Sequence, residues 1–236
     1  MTTQISRSSV VDELASRLRE DVLSGRYPPG SYLPAERELA DSYRVTRTSL
    51  KHAIVRLVQA GLLETRHGVG TRVRDYMRFG GPELLPMLVA TAGAEWMREI
   101  FMVRREVGSL VAAKAAENAN GADRDRLRSL LEDLRTAADA GAAQLVECEI
   151  HRAIAAATHN RVYGFLVNAM LSAYLEVRTP FQHAFADPGG AADRMLPAID
   201  AIAAGDRTDA HAAATGYLAE TEQIMLTSFP SPKGTP

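Results

Sequence analysis

Apolar residues recur at helical spacing through most of the chain, and the clearest amphipathic stretch begins after Val45. The apolar face of this predicted helix consists of Leu50, Ala53, Ile54, Leu57 and Val58. Thr46 precedes it as an N-cap candidate, and Val45 and Leu50 are spaced to form a hydrophobic staple. The opposite face, at the N-terminal end, carries Arg47, Thr48, Lys51 and His52. A helix with a polar, basic first turn and an apolar back suits insertion into the major groove of DNA.

Two further helices are predicted ahead of this one. Residues 9–25 are amphipathic, with an apolar face formed by Val10, Leu14, Leu18 and Val22. A turn rich in proline and glycine follows at 27–30, and a second helix opens within residues 33–40. A short turn at 43–45 leads into the third helix. The order helix, helix, short turn, helix is typical of the helix-turn-helix motif.

The hydrophobic period changes from helical to short after Gly61. Residues 62–74 are predicted to form a β-hairpin whose tip, 66–70, contains Arg66, His67 and two glycines. A hairpin that follows the third helix is a wing, and a basic, glycine-bearing tip suits close approach to a minor groove. A plain surface hairpin is the alternative, which the preceding helix-turn-helix disfavours.

The rest of the chain is almost entirely helical by pattern. We therefore expect a mainly α protein, with a winged helix-turn-helix domain at 1–75 and a linker at 76–83. An all-helical domain of six or seven helices is expected at 84–229, followed by a disordered tail at 230–236.

Composition narrows the class of partner. Residues 1–78 hold 13 Lys and Arg against 9 Asp and Glu, whereas the remainder holds 14 against 20. A basic end on an acidic body suggests that the basic end meets a polyanion, although charge scatter is the plainer alternative. The single cysteine, Cys148, excludes an internal disulfide and a cysteine-based zinc cluster. The chain lacks the roughly 20-residue apolar run of a membrane span, and its N-terminus is polar, so we expect a cytoplasmic protein.

Several of these segments together resemble the N-terminal winged helix of GntR-type transcription regulators. They are Pro28-Pro29-Gly30, the sequence LPAERELA at 33–40, Val45-Thr46-Arg47-Thr48 and the His67-Gly68 wing. The all-helical second half resembles the effector-binding domain of the FadR branch. The Val-Thr-Arg-Thr start of the third helix and residues 160–164 and 168–170 are similar to the acyl-CoA-responsive regulators of fatty-acid metabolism in that branch. The resemblance spans about residues 9–228.

The resemblance implies which residues meet double-stranded DNA. The matching positions are Arg37, Thr46, Arg47, Thr48, Ser49, His67 and Gly68. Lys51 stands where the family has arginine, and it retains a point charge for a phosphate but not a bidentate contact. A single winged helix covers one half-site, so we expect a homodimer on a pseudo-palindromic operator.

The resemblance also aligns four residues with a divalent-metal site that many members of the branch form from an aspartate and three histidines. These are Glu147, His151, Met195 and Tyr217. Glu147 and His151, at i and i+4, share a helix face and could form half of a site. Met195 and Tyr217 are poor ligands for such metals, so we expect no metal and no other cofactor, but a Glu–His pair that lines a cavity.

The expected effector follows from the remaining matches. Arg104 matches an arginine that faces the pocket in this family, and a lone buried arginine would need an anionic partner from a ligand. Tyr217 and Thr221 match polar pocket residues, and Met225 replaces a tryptophan. We therefore expect a long-chain acyl-CoA or fatty acid that releases the operator.

Three alternatives to this hypothesis about the effector stay open. In the first, Tyr217, Thr221 and Met225 form one ordinary core stripe. In the second, the effector is a small organic acid held by Arg104, with a divalent metal on Glu147 and His151. The third is an enzyme with a DNA-binding appendage, which is disfavoured because no nucleophile, base and orienting group occur at a recognisable spacing, so we expect no enzyme.

Overall fold

The chain separates into two compact units, Met1–Ala92 and Gly93–Pro236. The computed structural model describes residues 7–81, 84–85, 88 and 94–227. The expected tail and residues 82 and 83 of the expected linker lie outside these ranges. Within the described ranges, none of the helices is long and apolar enough to cross a membrane.

The first unit contains three helices followed by a two-stranded antiparallel sheet. The helices are α1 (Arg7–Leu23), α2 (Glu36–Tyr43) and α3 (Arg47–Gln59), and the strands are β1 (Leu63–Arg66) and β2 (Gly70–Val73). The two strands pair with Leu63 opposite Val73, so the hairpin tip falls between Arg66 and Gly70. This arrangement confirms the predicted helix-turn-helix and wing. A short helix, α4 (Tyr76–Phe79), lies within the segment expected to be a linker and is capped by Asp75.

The core of the first unit is built from the apolar faces of α1 and α3. Its buried residues include Leu14, Leu18 and Val22 from α1 and Leu50, Ala53, Ile54 and Leu57 from α3. Val10 was predicted to belong to the same face of α1, but it is 45% exposed because it lines an open groove beside the start of α3. Tyr32 adds a single β-bridge to Arg72, a contact that the local pattern did not indicate.

The second unit is all-helical over its described residues, as predicted. Its α-helices are α5 (Ala94–Asn118), α6 (Gly121–Arg135), α7 (Ala140–Ala157), α8 (Arg161–Glu176), α9 (Pro188–Ala204) and α10 (Arg207–Leu226), and a 3-10 helix (Thr179–Phe185) joins α8 to α9. Helix α5 packs against α10 and α7, and α9 packs against α6 and α10. Asn and Asp side chains cap five of these helices by accepting backbone N–H groups: Asn120, Asp139, Asn160, Asp187 and Asp206.

Two glycines, one at the end of α9 and one inside α10, allow a matched test of the helix assignments. Gly205 ends α9 with φ of 76°, whereas Gly216 lies in the middle of α10 with open space around it. Gly205→Ala should destabilise the unit by about 1 kcal/mol, because alanine is strained at positive φ. Gly216→Ala should stabilise it by about 0.5–1 kcal/mol, because alanine is the better helix former. Urea unfolding of both variants checks the opposite signs, and equal signs would contradict the assigned ends of α9.

Candidate functional site

The start of α3 is held by a cap that involves two hydroxyl groups. Thr46 Oγ1 accepts a hydrogen bond from the Ser49 backbone N–H at 3.1 Å, and the hydroxyls of Thr46 and Ser49 lie 2.9 Å apart. Both hydroxyls belong to the cap, so they fix the direction in which α3 begins. Leu50, directly after the cap, is fully buried, which anchors this end of the helix in the core.

The solvent side of the first turn of α3 carries the residues expected there. The Arg47 and Lys51 side chains are 64% and 58% exposed, and Thr48 and His52 are exposed as well. Glu36 of α2 lies 3.8 Å from Arg47 Nη2 and 3.7 Å from Lys51 Nζ. The sequence places Glu36 in the first turn of α2, but it does not indicate these contacts, because a pair between two helices has no local spacing rule.

The wing and α3 face each other across a groove with a volume of about 580 Å³. Residues from the turn before α2, from the start of α3 and from the wing line it, among them Tyr32, Glu36, Arg47, Arg66, His67 and Gly68. Gly68 has φ of 76° and open space where a Cβ would stand, so the backbone is accessible at the tip. Arg37, on α2, is exposed. A basic helix start beside an accessible wing has the form of a surface that receives duplex DNA.

Four of the predicted ligand-binding residues meet in one hydrogen-bonded cluster inside the second unit. Glu147 Oε1 accepts hydrogen bonds from Arg104 Nη2 at 2.7 Å and from Tyr217 Oη at 3.0 Å. His151 Nε2 lies 2.8 Å from the same oxygen and 3.4 Å from Arg104 Nη2. The cluster joins α5, α7 and α10. Arg104 therefore has an anionic partner within the chain, contrary to the expectation of a lone arginine.

Burial and charge act against each other on these groups. Burial by itself would raise the pKa of the Glu147 carboxyl, which is 1% exposed, but His151, Arg104 and Tyr217 lower this pKa to about 2. Burial by itself would lower the pKa of Arg104, but the charge of Glu147, together with smaller contributions from Tyr217, Tyr174 and Cys148, raises this pKa above its ordinary value. Burial, the Glu147 charge and the hydrogen bond to Glu147 raise the pKa of Tyr217. Arg104 and Glu147 are therefore both ionised, and Tyr217 is a neutral hydrogen-bond donor.

One donor of the cluster is left over. Arg104 Nη1 is buried and has no hydrogen-bond partner among the described residues. Thr221 and Met225 are fully buried on the same face of α10 as Tyr217, one and two turns further on. Met195 is buried on α9, outside this hydrogen-bond network. A buried donor without a partner costs free energy, so it marks the place where a ligand acceptor would be stabilised.

The four positions aligned with a metal site do not fit a divalent metal. Glu147 Oε1, the best ligand atom among them, already accepts from Arg104 and Tyr217 and contacts His151. Among the described residues, no group of three or more His, Cys, Asp or Glu side chains is placed to hold a metal ion. A metal on Glu147 Oε1 would have to displace the guanidinium, which already supplies a positive charge there.

Comparison with known families agrees with this division into two parts. The family model described as bacterial regulatory proteins, gntR family, matches residues 10–73. The model of the FCD domain matches residues 99–220. The candidate DNA surface lies within the first match, and Arg104, Glu147, His151 and Tyr217 lie within the second.

Individual relatives cover both parts of the chain. An HTH-type transcriptional regulator of Mycobacterium tuberculosis is 31% identical over 223 residues, which are 94% of this chain and 92% of that protein. The fatty acid metabolism regulator protein of Edwardsiella ictaluri is 32% identical over 164 residues, 68% of this chain and 67% of that one. A solved structure of Lar, described as controlling the Listeria monocytogenes agr system, has a TM-score of 0.57 at 15% identity and covers 96% of this chain and 98% of its own. This last likeness supports the fold alone.

The Glu147 cluster leads to a prediction about stability and pH. Glu147→Gln should lower the free energy of unfolding by about 3–5 kcal/mol at pH 7, because it leaves Arg104, whose side chain is only 17% exposed, without a counter-charge. The folded-state pKa of Glu147 is lowered from 4.5 to about 2, so the stabilisation is complete above about pH 4.5 and is lost as the pH falls towards 2. The difference between wild type and variant in urea unfolding should therefore shrink over that window.

Glu149→Gln is the matched control, because Glu149 lies on the same helix, is 52% exposed and pairs with Arg152 at the surface. It should cost less than about 1 kcal/mol. Equal costs for the two variants would show that the buried cluster does not stabilise the unit.

Proposed function

The chain belongs to the gntR family of bacterial regulatory proteins, and from this membership we propose that it binds a pseudo-palindromic operator as a homodimer and releases it when long-chain acyl-CoA or fatty acid binds its second unit. Family membership makes the protein a DNA-binding transcription regulator and not an enzyme. We also propose that the protein acts in the cytoplasm.

The exposed basic start of α3, beside the accessible tip of the wing, carries the proposal for DNA. Arg47 is on the first turn of α3, where a guanidinium reaches the edge of a guanine in the major groove. Lys51 is one turn further on and suits a phosphate. His67 and Gly68 would approach the adjacent minor groove. One winged helix covers a single half-site, and two-fold pairing supplies the second.

The unpaired Arg104 Nη1 carries the proposal for the effector. Because Glu147 already balances the charge of Arg104, the remaining N–H groups need an acceptor and not a second negative charge. A thioester carbonyl oxygen is such an acceptor, whereas a carboxylate would bring its charge close to the ionised Glu147. Buried apolar side chains of α5, α7 and α10 lie in the same core as these polar atoms. Pockets that take an apolar chain with a polar head combine the two in this way. The charge balance thus favours acyl-CoA over the free fatty acid.

Relatives support the same class of effector. The proteins of Edwardsiella ictaluri and Escherichia coli that are about 30% identical to this chain are named fatty acid metabolism regulator. A small organic acid at Arg104 is the second candidate, because the unpaired guanidinium nitrogen could also donate a hydrogen bond to a carboxylate oxygen.

The DNA surface is tested with two substitutions on α3. Arg47→Ala should cost about 1–3 kcal/mol of operator affinity and reduce discrimination between operator and random duplex. Lys51→Ala should weaken binding to both duplexes and lower the slope of log K against log salt by about one unit. Fluorescence anisotropy at several salt concentrations measures both quantities. Equal losses of discrimination in the two variants would contradict the separate roles.

The effector is tested by titration of a pre-formed operator complex with oleoyl-CoA, oleate and a small dicarboxylate. Oleoyl-CoA should release the DNA at the lowest concentration, with a coupling of about 1–3 kcal/mol. Release by the dicarboxylate alone would replace the acyl proposal with the small-acid alternative.

A paired variant separates ligand recognition from folding. Arg104→Gln combined with Glu147→Gln removes both charges together, so neither is left buried alone. This double variant should bind the operator like the wild type but need at least about tenfold more oleoyl-CoA for release, because it lacks the guanidinium donor. Unchanged sensitivity to oleoyl-CoA would place the ligand elsewhere.

A further inference from the structure

Glu36 is an acidic residue within the basic part of the candidate DNA surface. Its carboxylate Oε2 lies within 4 Å of both Arg47 and Lys51, and its side chain is 37% exposed. A carboxylate at this place repels the phosphates that the two cations would attract. The negative charge of Glu36 therefore lies beside the two cations that would otherwise attract the phosphates of any DNA sequence.

Support of the α2 helix dipole does not account for this position by itself. Glu36 and Glu38 both lie in the first turn of α2, where a negative charge is favourable. Glu38 is exposed, and the described residues contain no ion-pair partner for it. Only Glu36 combines the position in the first turn with contacts to the recognition helix.

We propose that Glu36 is a specificity-determining residue, which holds Arg47 and Lys51 in place and penalises non-specific DNA more than the operator. The inference rests on the proposed DNA-binding function. Glu36 faces Nη2 of Arg47, so the Nε and Nη1 side of the guanidinium stays free for a base edge. A guanidinium fixed by a neighbouring carboxylate loses less conformational freedom when it makes that one contact.

Non-specific binding uses the same cations differently. On a random duplex the contacts are to phosphates, so Arg47 and Lys51 must leave Glu36 and the carboxylate is left beside the DNA backbone. On the operator, Arg47 reaches the base while it keeps its neighbour. Glu36 therefore lowers the affinity for random DNA more than the affinity for the operator. Removal of its charge should reduce the ratio of the two affinities.

The test uses the full chain and two duplexes of equal length. One duplex is the sequence that the wild-type protein enriches from a random library, and the other is a scrambled version of it. Glu36→Gln should bind the scrambled duplex on the order of fivefold more tightly at low salt and gain little on the enriched one. On the scrambled duplex, the slope of log K against log salt should become steeper by up to about one unit, because no carboxylate then partly neutralises Arg47 and Lys51.

Two further variants make the result specific to the contact. Glu38→Gln removes an equal charge from the same helix turn and should change both affinities by one common, smaller factor. Glu36→Asp keeps the charge but shortens the side chain, and it should also reduce the ratio of the two affinities. Circular dichroism and urea unfolding check that each variant is folded as the wild type.

Each outcome has a definite consequence. A reduced affinity ratio in Glu36→Gln and Glu36→Asp, but not in Glu38→Gln, supports the proposal. An unchanged ratio in Glu36→Gln overturns it while the DNA-binding function stands. If the wild type enriches no sequence at all, the proposed operator recognition fails, and this inference fails with it.

Discussion

The ion pair between Arg104 and Glu147 is the interaction on which the second unit depends, because it ties α5 to α7 and, through Tyr217, to α10. Two charges taken from water are costly unless hydrogen bonds satisfy them, and three groups surround the one oxygen Glu147 Oε1. The arrangement satisfies the carboxylate but leaves Nη1 of the guanidinium over. Arg104 thus stabilises the unit through one guanidinium nitrogen and carries the proposed ligand contact on the other.

The first unit uses charge in the opposite way. Its cations stand at the surface, where an ion pair contributes little to stability and salt screens it. Such exposed charges are available to contact a binding partner. The Thr46 cap fixes where α3 begins, and Glu36 lies within 4 Å of two of the cations on this helix. A buried charge pair therefore organises the helical unit, whereas an exposed one shapes the surface proposed to read DNA.

Much of this structure is predictable from sequence, because helix faces and turns follow local rules. The period of Leu50, Ala53, Ile54 and Leu57, the Thr46 cap and the glycine-bearing hairpin tip are local features, and the helix-turn-helix and wing follow from them. The Glu147–His151 contact is predictable for the same reason, as an i, i+4 pair. Contacts across the chain have no such signal. Arg104 lies 43 positions before Glu147, so its internal partner was missed, and the neighbour of Arg47 on α2 was missed likewise.

The proposed regulation requires that an acyl thioester binds at Arg104 and that the protein with this ligand bound does not hold DNA. Native mass spectrometry of the operator complex titrated with oleoyl-CoA tests it most directly, since each species has its own mass. We expect protein with bound oleoyl-CoA and free duplex to appear together as the protein–DNA complex disappears. A persistent complex of protein, DNA and oleoyl-CoA, or release of DNA by a protein that carries no acyl-CoA, would contradict it.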